Sequence, residues 1–361
     1  MKIPVQNIYY LLCYAWNRLE EGKIIPVSQL DKNEVSQLFA TVLIEGLSHI
    51  FKKGLDRGYV QHSEEIQRIR GKIDFSMNIK RNFFKQPRLY CEYDELDYNI
   101  LHNQLLKTTI KNMIGCEGLE LDTNNKLKNL YRRLHKIDDI CITKKIFRRV
   151  QLNRNNFFYD FMIKVSELIY DNLLISKEGE SRKFKDFIQD EILMRSIYEG
   201  FVRNFYKRHL TGYDYVGRRN IDWKLEPFTP AAGNVLPIMQ TDINIEYPDR
   251  KIIIDTKYKN ILNDRDKIDS GNLYQLCAYL KNQEKTNNPL TMKCEGILLY
   301  PTIDTEYTFE YQHDEHKITI RSINLNQEWR NIESDLLAIT KRALPEKAGD
   351  GENLEKPGET D

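Results

Sequence analysis

The chain has 361 residues, 41% of them hydrophobic, and its 54 basic and 53 acidic side chains leave a net charge of +1. That length suits about two domains with filled cores, and the near-neutral balance argues against a protein that coats nucleic acid through bulk charge. No stretch approaches the roughly twenty apolar residues of a membrane span, and the opening MKIPVQNIYY has neither a basic leader nor a cleavage site, so a cytoplasmic protein with no membrane partner is expected.

In chain order, residues 4–17 place Ile8, Leu11, Leu12 and Ala15 at helical spacing behind a proline, which predicts a core helix. A second helix is expected from Glu34 to about Lys52, and RIRGKIDF at 68–75 alternates like a short strand. Helices are expected over 100–113, 124–135 and 157–174, so the N-terminal part combines helices with a small sheet. The polar run SKEGESRKFKD at 176–186 interrupts the pattern and puts a domain junction between about 150 and 186. Beyond it, Asp190 to His209 reads as a helix with the stripe Leu193, Ile197, Phe201 and Phe205. Strands are expected over 220–226, 238–247 and 251–258, a helix over 272–281, a strand over 296–301, further strands to about 325, and a helix over 327–342. This order predicts an α+β or α/β chain whose second part is a mixed sheet flanked by helices. The last stretch, 344–361, carries six acids against two lysines and no aromatic residue, and is expected to be a disordered acidic tail.

The six cysteines (Cys13, Cys91, Cys116, Cys141, Cys277, Cys294) form no CxxC pair, so buried free thiols are expected rather than a zinc knuckle or a disulfide framework. HDEH at 313–316 resembles a metal cluster but falls between two strand-like runs, where a solvated hairpin turn is the better reading. Between Arg132 and Arg154, eight basic residues, among them Arg148, Arg149 and Arg154, face only Asp138 and Asp139. That stretch is either a phosphate-tracking surface or a solvated helix face.

The chemistry concentrates in QTDINIEYPDRKIIIDTKYK, 240–259, which reads as a β-hairpin turning at Pro248 and Asp249. If Tyr247 faces Arg250, the same register sets Asp242 opposite Asp255, with Cβ atoms about 5 Å apart. Two such carboxylates repel unless a cation lies between them. Lys257, two residues from Asp255, shares its face. Oxygen ligands of this kind hold Mg²⁺ with open positions for a phosphate oxygen and an attacking water, the arrangement phosphodiester hydrolysis needs. An exposed cross-strand salt bridge is the plainer alternative. On the next helix, Gln275 and Tyr279 stand four residues apart on one face. Glu199, off the apolar stripe of its helix, is the candidate additional carboxylate.

The hairpin D…DxK, its apolar run Ile252 to Ile254 and the preceding helix resemble the PD-(D/E)XK nuclease superfamily, and Gln275 with Tyr279 looks like the QxxxY motif of its RecB-type branch. The resemblance narrows further. IPVQNIYYLLCYAW, RIRGKIDF, QTDINI with DTKYK, NLYQL and NLNQEW together resemble the McrC family, the endonuclease subunits of McrBC 5-methylcytosine restriction systems, from residue 3 to about 340. It implies a region, 1–160, that docks on and stimulates a hexameric AAA+ GTPase of McrB type, and a PD-(D/E)XK nuclease domain, 161–343, that cuts double-stranded DNA with Mg²⁺, or Mn²⁺ as a substitute. Implied at the site are Asp242, Asp255 and Glu199 on the metal, and Lys257, Gln275 and Tyr279 in catalysis. Arg68, Arg70 and Lys72, or Arg148, Arg149 and Arg154, are candidates to face the partner or DNA. No phosphate-loop signature is present, since Gly22-Lys23 and Gly71-Lys72 lack the upstream glycine and the following Ser or Thr, so no nucleotide is expected on this chain alone. Two alternatives stay open: a non-catalytic activator of the ring, and a stand-alone RecB-type exonuclease.

Overall fold

The computed structural model describes residues 3–27, 34–81, 87–153, 156–175, 182–185, 187–226, 228 and 235–341. The expected acidic tail at 344–361 and the candidate Arg154 lie outside the described residues. Among those described, no helix is long and apolar enough to cross a membrane.

Pro4, which has no N–H to lose, precedes α1 (Val5–Ala15). Next come α2 (Leu19–Gly22) and α3 (Val35–Lys53). The chain then forms an arm of β1 (Gly58–Ile66), β2 (Lys72–Ile73), α4 (Phe75–Lys80) and β3 (Leu89–Asp97). Its sheet has the order β1-β3-β2 and is antiparallel throughout, running from Gly58 opposite Asp97 at its foot to Ile66 opposite Leu89. The strand expected over 68–75 shrinks to Lys72 and Ile73. Gly71 adopts a φ of 59°, in the left-handed region, and Asp74 starts α4 by accepting from the Met77 N–H at 3.0 Å, so the chain leaves extended geometry on both sides.

The helical body adds α5 (Leu101–Met113), α6 (Leu121–Arg133), α7 (Lys144–Phe147) and α8 (Phe157–Asn172). The three long helices here lie within one to three residues of their expected bounds. A short pair, β4 (Leu173–Ile175) with β5 (Arg182–Phe184), flanks part of the polar run, of which 176–181 and 186 are outside the described residues.

The elements that carry the site begin with α9 (Glu191–His209), β6 (Tyr215–Gly217), β7 (Asn220–Ile221), β8 (Met239–Gln240), β9 (Ile243–Tyr247) and β10 (Arg250–Thr256). Then come α10 (Ser270–Gln283), α11 (Pro289–Met292), β11 (Glu295–Thr302), β12 (Thr308–His313), β13 (His316–Asn324) and α12 (Trp329–Thr340). Six strands form one sheet in the order β12-β13-β11-β10-β9-β6, in which β10, β11 and β13 run parallel and the outer pairings are antiparallel. This is the expected mixed sheet. The strand expected over 220–226 is only β7, which pairs with β8 outside this sheet, and the one expected over 238–247 breaks into β8 and β9.

Strand β10 is buried on both faces, which is why Ile252, Ile253 and Ile254 run without polar alternation. Ile252 and Ile254 join the core shared with α1 and α9, while Ile253 packs with Leu276, Tyr279 and Leu280 of α10. The α9 stripe faces inward as expected, with Ile197, Phe201 and Phe205 buried and Leu193 half-buried. Helix α1 seats on α9 at Gly200, where a Cβ would lie 3.3 Å from the Ala15 Cα. Buried Asn7 ties α1 to the far end of the chain, donating to the Leu325 carbonyl at 2.9 Å and the Gln327 carbonyl at 2.8 Å.

All six cysteines are free thiols; Cys13, Cys91, Cys116 and Cys294 are buried, Cys277 is half-buried and Cys141 is exposed. HDEH forms the turn between β12 and β13. Its His316 is buried and pairs with the Cys294 carbonyl and Glu284, both at 2.9 Å, and its Asp314 pairs with Lys281.

Candidate active site

The β9–β10 hairpin has the anticipated register. Tyr247 pairs with Arg250 and the ladder runs to Ile243 opposite Ile254. One residue further, Asp242 leaves the ladder and its Oδ2 accepts from both the backbone N–H and the hydroxyl of Thr256, each at 2.8 Å. The carboxylate thus replaces a ladder partner, and the hairpin ends with Asp242 facing the segment that carries Asp255.

Asp255 is 1% exposed, at the carboxyl end of a central parallel strand beside Leu298 of β11. Its Oδ2 meets the Lys257 ammonium at 2.7 Å, the same-face contact that strand alternation requires. Its Oδ1 is buried with no hydrogen-bond partner. Lys257 donates onward to Gln275 Oε1 at 2.8 Å, Gln275 Nε2 donates to the Tyr279 hydroxyl at 2.7 Å, and Tyr279 donates to the Gln240 carbonyl at 2.8 Å. The chain of contacts runs from the end of β10 through one face of α10 to the end of β8, two residues before Asp242. Neighbouring contacts hold this geometry: Asp269 opens α10 by accepting from Gly271 N–H at 2.8 Å, and Leu276 and Leu280 sit on Gly296 of β11.

Burial pushes the Asp255 carboxyl up to about 6, and the charge of Asp242 adds to the rise while Lys257 opposes it. Asp242 is also raised, first by burial and then by the charge of Glu199, against the hydrogen bonds from Thr256. Burial raises the Tyr279 hydroxyl to about 12, keeping it a neutral donor.

Glu199 projects from α9 with its side chain 13% exposed. Its Oε1 accepts from Arg203 Nη1 at 2.6 Å and from Arg218 Nε at 2.7 Å. It is close enough to weigh on both aspartates, yet among the described residues no three His, Cys, Asp or Glu side chains gather as a ready metal cage. The structure brings together the pair Asp242 and Asp255 with Lys257, Gln275 and Tyr279, and holds Glu199 beside them in an arginine pair. A hard divalent cation fits: the donors are carboxylate oxygens, and the unpartnered Oδ1 of Asp255 is a buried anionic acceptor that a cation would satisfy.

The basic candidates stand elsewhere. Arg68, Arg70 and Lys72 are exposed on the arm, Arg70 lying 3.6 Å from Glu95 and over the Tyr93 ring, and Arg148 and Arg149 are exposed just after α7. Sequence reasoning missed Thr256, Arg203 and Arg218. Only Arg203 left a signal, its four-residue spacing from Glu199 on a helix. A cleft of about 800 Å³ opens at the other end of the sheet, around Arg250, Lys251, Glu295 and Lys317, where most cations are already paired with acids.

Fold and site together define an α/β protein with a carboxylate and lysine centre at the end of a mixed sheet. The family model described as McrBC 5-methylcytosine restriction system component matches residues 6–301, and the chain belongs to this McrBC family. The type IV methyl-directed restriction enzyme EcoKMcrBC of Escherichia coli strain K12 is 31% identical over 341 residues, which cover 93% of this chain and 97% of the relative. A chain in a half-complex from a tetradecameric assembly of Thermococcus gammatolerans McrB AAA+ hexamers with bound McrC has the same fold, with a TM-score of 0.59 at 17% identity over 93% of this chain and 76% of that one.

Proposed function

We propose that this chain is the endonuclease subunit of a McrBC-type restriction complex, a PD-(D/E)XK enzyme acting in the cytoplasm on double-stranded DNA. The observation that carries the reading is Asp255, a buried carboxylate with one oxygen on Lys257 and the other unpartnered, beside Asp242. Asp242 and Asp255 would hold Mg²⁺, with Mn²⁺ as a substitute and Glu199 as the candidate third carboxylate. When bound, the cation polarises the scissile phosphate and supplies an activated water.

The protein's own groups do the rest. Lys257 presents an ammonium where negative charge develops on the phosphate, and it is held between two acceptors, Asp255 Oδ2 at 2.7 Å and Gln275 Oε1 at 2.8 Å. Tyr279 fixes Gln275, so the lysine is oriented by a braced side chain rather than a free one. Thr256 holds Asp242 through two bonds to one oxygen, which fixes the carboxylate plane.

The match to the McrBC family over most of the chain supports a partner of McrB type, a hexameric AAA+ GTPase, and the family's 5-methylcytosine description supports modified DNA as the target. In this reading residues 1–160 dock on and stimulate the ring, the exposed arm with Arg68, Arg70 and Lys72 providing contact surface, while residues 161–343 cut. Asp255→Ala is expected to abolish cleavage in the presence of partner, GTP and Mg²⁺ while the complex still assembles on size exclusion. Undiminished cutting by that variant sinks the assignment.

A further inference from the structure

Two guanidinium groups converge on one oxygen of Glu199. Arg203 stands one helical turn further along α9, and Arg218 comes from the turn between β6 and β7; both donate to Oε1, at 2.6 and 2.7 Å. Arg218 does not arrive there on a loose loop. The Tyr215 hydroxyl donates to its carbonyl at 2.6 Å. The next residue, Arg219, is laced to the strand that leads into Asp242: its N–H donates to Thr241 Oγ1 at 3.1 Å, and the Thr241 N–H donates to its carbonyl at 2.9 Å. One turn therefore connects the helix-borne Glu199 to the residue preceding Asp242. A solvated surface pair needs no such bracing. Here a carboxylate with 13% exposure receives two charged donors on the same atom, an arrangement that sets the plane of the carboxylate as well as its position.

We propose that Arg218, with Arg203, is a positioning residue for the cation site, holding Glu199 by Oε1 so that its orientation and charge serve a divalent cation seated on Asp242 and Asp255. This rests on the reading of those aspartates as the cation's ligands. Groups that orient a ligating carboxylate commonly contribute a factor of about 10 to 100 in metal affinity. A guanidinium that merely stood in for the absent cation would have the opposite effect, since its removal would free the carboxylate and tighten metal binding.

The test is Mn²⁺ binding to the full-length chain, followed by the loss of the free-ion paramagnetic resonance signal, with thermal melts to show that each variant folds. Arg218→Ala is expected to weaken Mn²⁺ binding at least about tenfold. In a Glu199→Gln background the same substitution is expected to add nothing, because the group it positions has lost its charge. Arg218→Lys, which keeps the charge but not the fork, is expected to recover only part of the affinity. Unchanged or tighter Mn²⁺ binding in Arg218→Ala, or an equal loss in the Glu199→Gln background, overturns the proposal. So does a variant that binds Mn²⁺ normally but DNA weakly, which would place the arginine on a phosphate. Mn²⁺ binding that survives Asp255→Asn overturns the underlying site instead, so the two failures are distinct.

Discussion

Asp255 is a buried carboxylate whose charge costs the fold stability. Its carboxyl is raised to about 6 in the fold, against about 3.9 for an unperturbed aspartate, so the native state binds the proton more tightly than the unfolded chain. Stability is therefore lost as pH rises from about 4 to about 6, and above that range a constant penalty persists in the absence of a cation. Asp255→Asn removes the charge while Lys257 keeps its bond to Gln275. The variant is expected to melt about one to two degrees above the parent at pH 8 in EDTA, on the order of 1 kcal/mol, with the gap closing near pH 4. Mg²⁺ should then raise the parent alone. A variant that melts below the parent at pH 8 contradicts the account. At this scale the sequence was informative where one strand or one helix decides geometry: the register from Tyr247 and Arg250, Lys257 beside Asp255, Gln275 bonded to Tyr279. The grip of Arg218 on Glu199 depends on α9 meeting the β6 turn, and no spacing records such a meeting.

Elements matter through how they seat the site. Helix α10 lies on β11 at Gly296, where a Cβ would come within 2.8 Å of Leu280 Cδ1 and 3.1 Å of Leu276 Cδ2. Gly296→Val overfills that contact and should cost about 1–3 kcal/mol in a denaturant titration. Because Gln275 rides on the same helix, cleavage should fall more than the stability loss explains. Tyr274→Ser, at a position 72% exposed, is the control and should change stability by less than about 0.5 kcal/mol. The long helices and β10 were legible because each buries a continuous apolar face. Strands β1 and β3 were not, because the arm leaves much of both faces in water: GYVQHSEEI carries polar residues on either side of the pleat, so no alternation marks it. The β7–β8 pair was drawn too long, as strands over 220–226 and 238–247, because two residues per strand are too few to show where a period begins or ends.

At the scale of the molecule, one apolar core runs from Ile3 through the helical body to Leu336, and α1 packs against α9 and stacks Tyr10 on Trp329 at 4.8 Å. The arm stands apart from this core. Both of its feet are pinned by one side chain: Asn103 Nδ2 donates to the Asp56 carbonyl at 3.0 Å and to the Tyr98 carbonyl at 2.8 Å, while the Asp56 N–H donates to the Tyr159 hydroxyl at 2.9 Å. Gly58 and Asp97 face each other across the foot, so a two-residue turn can replace residues 59–96 without disturbing the clamp. The shortened chain is expected to unfold within a few degrees of the parent and to bind Mn²⁺ as tightly, since the core and the carboxylate pair are untouched. On the proposed function, it is also expected to lose stimulation of a McrB-type GTPase, measured as phosphate release at saturating chain, because Arg68, Arg70, Lys72 and the exposed Ile69, Phe75 and Ile79 leave with the arm. Stimulation that persists at the parent's level would assign the ring contact to the helical body and its basic residues Arg148 and Arg149 instead.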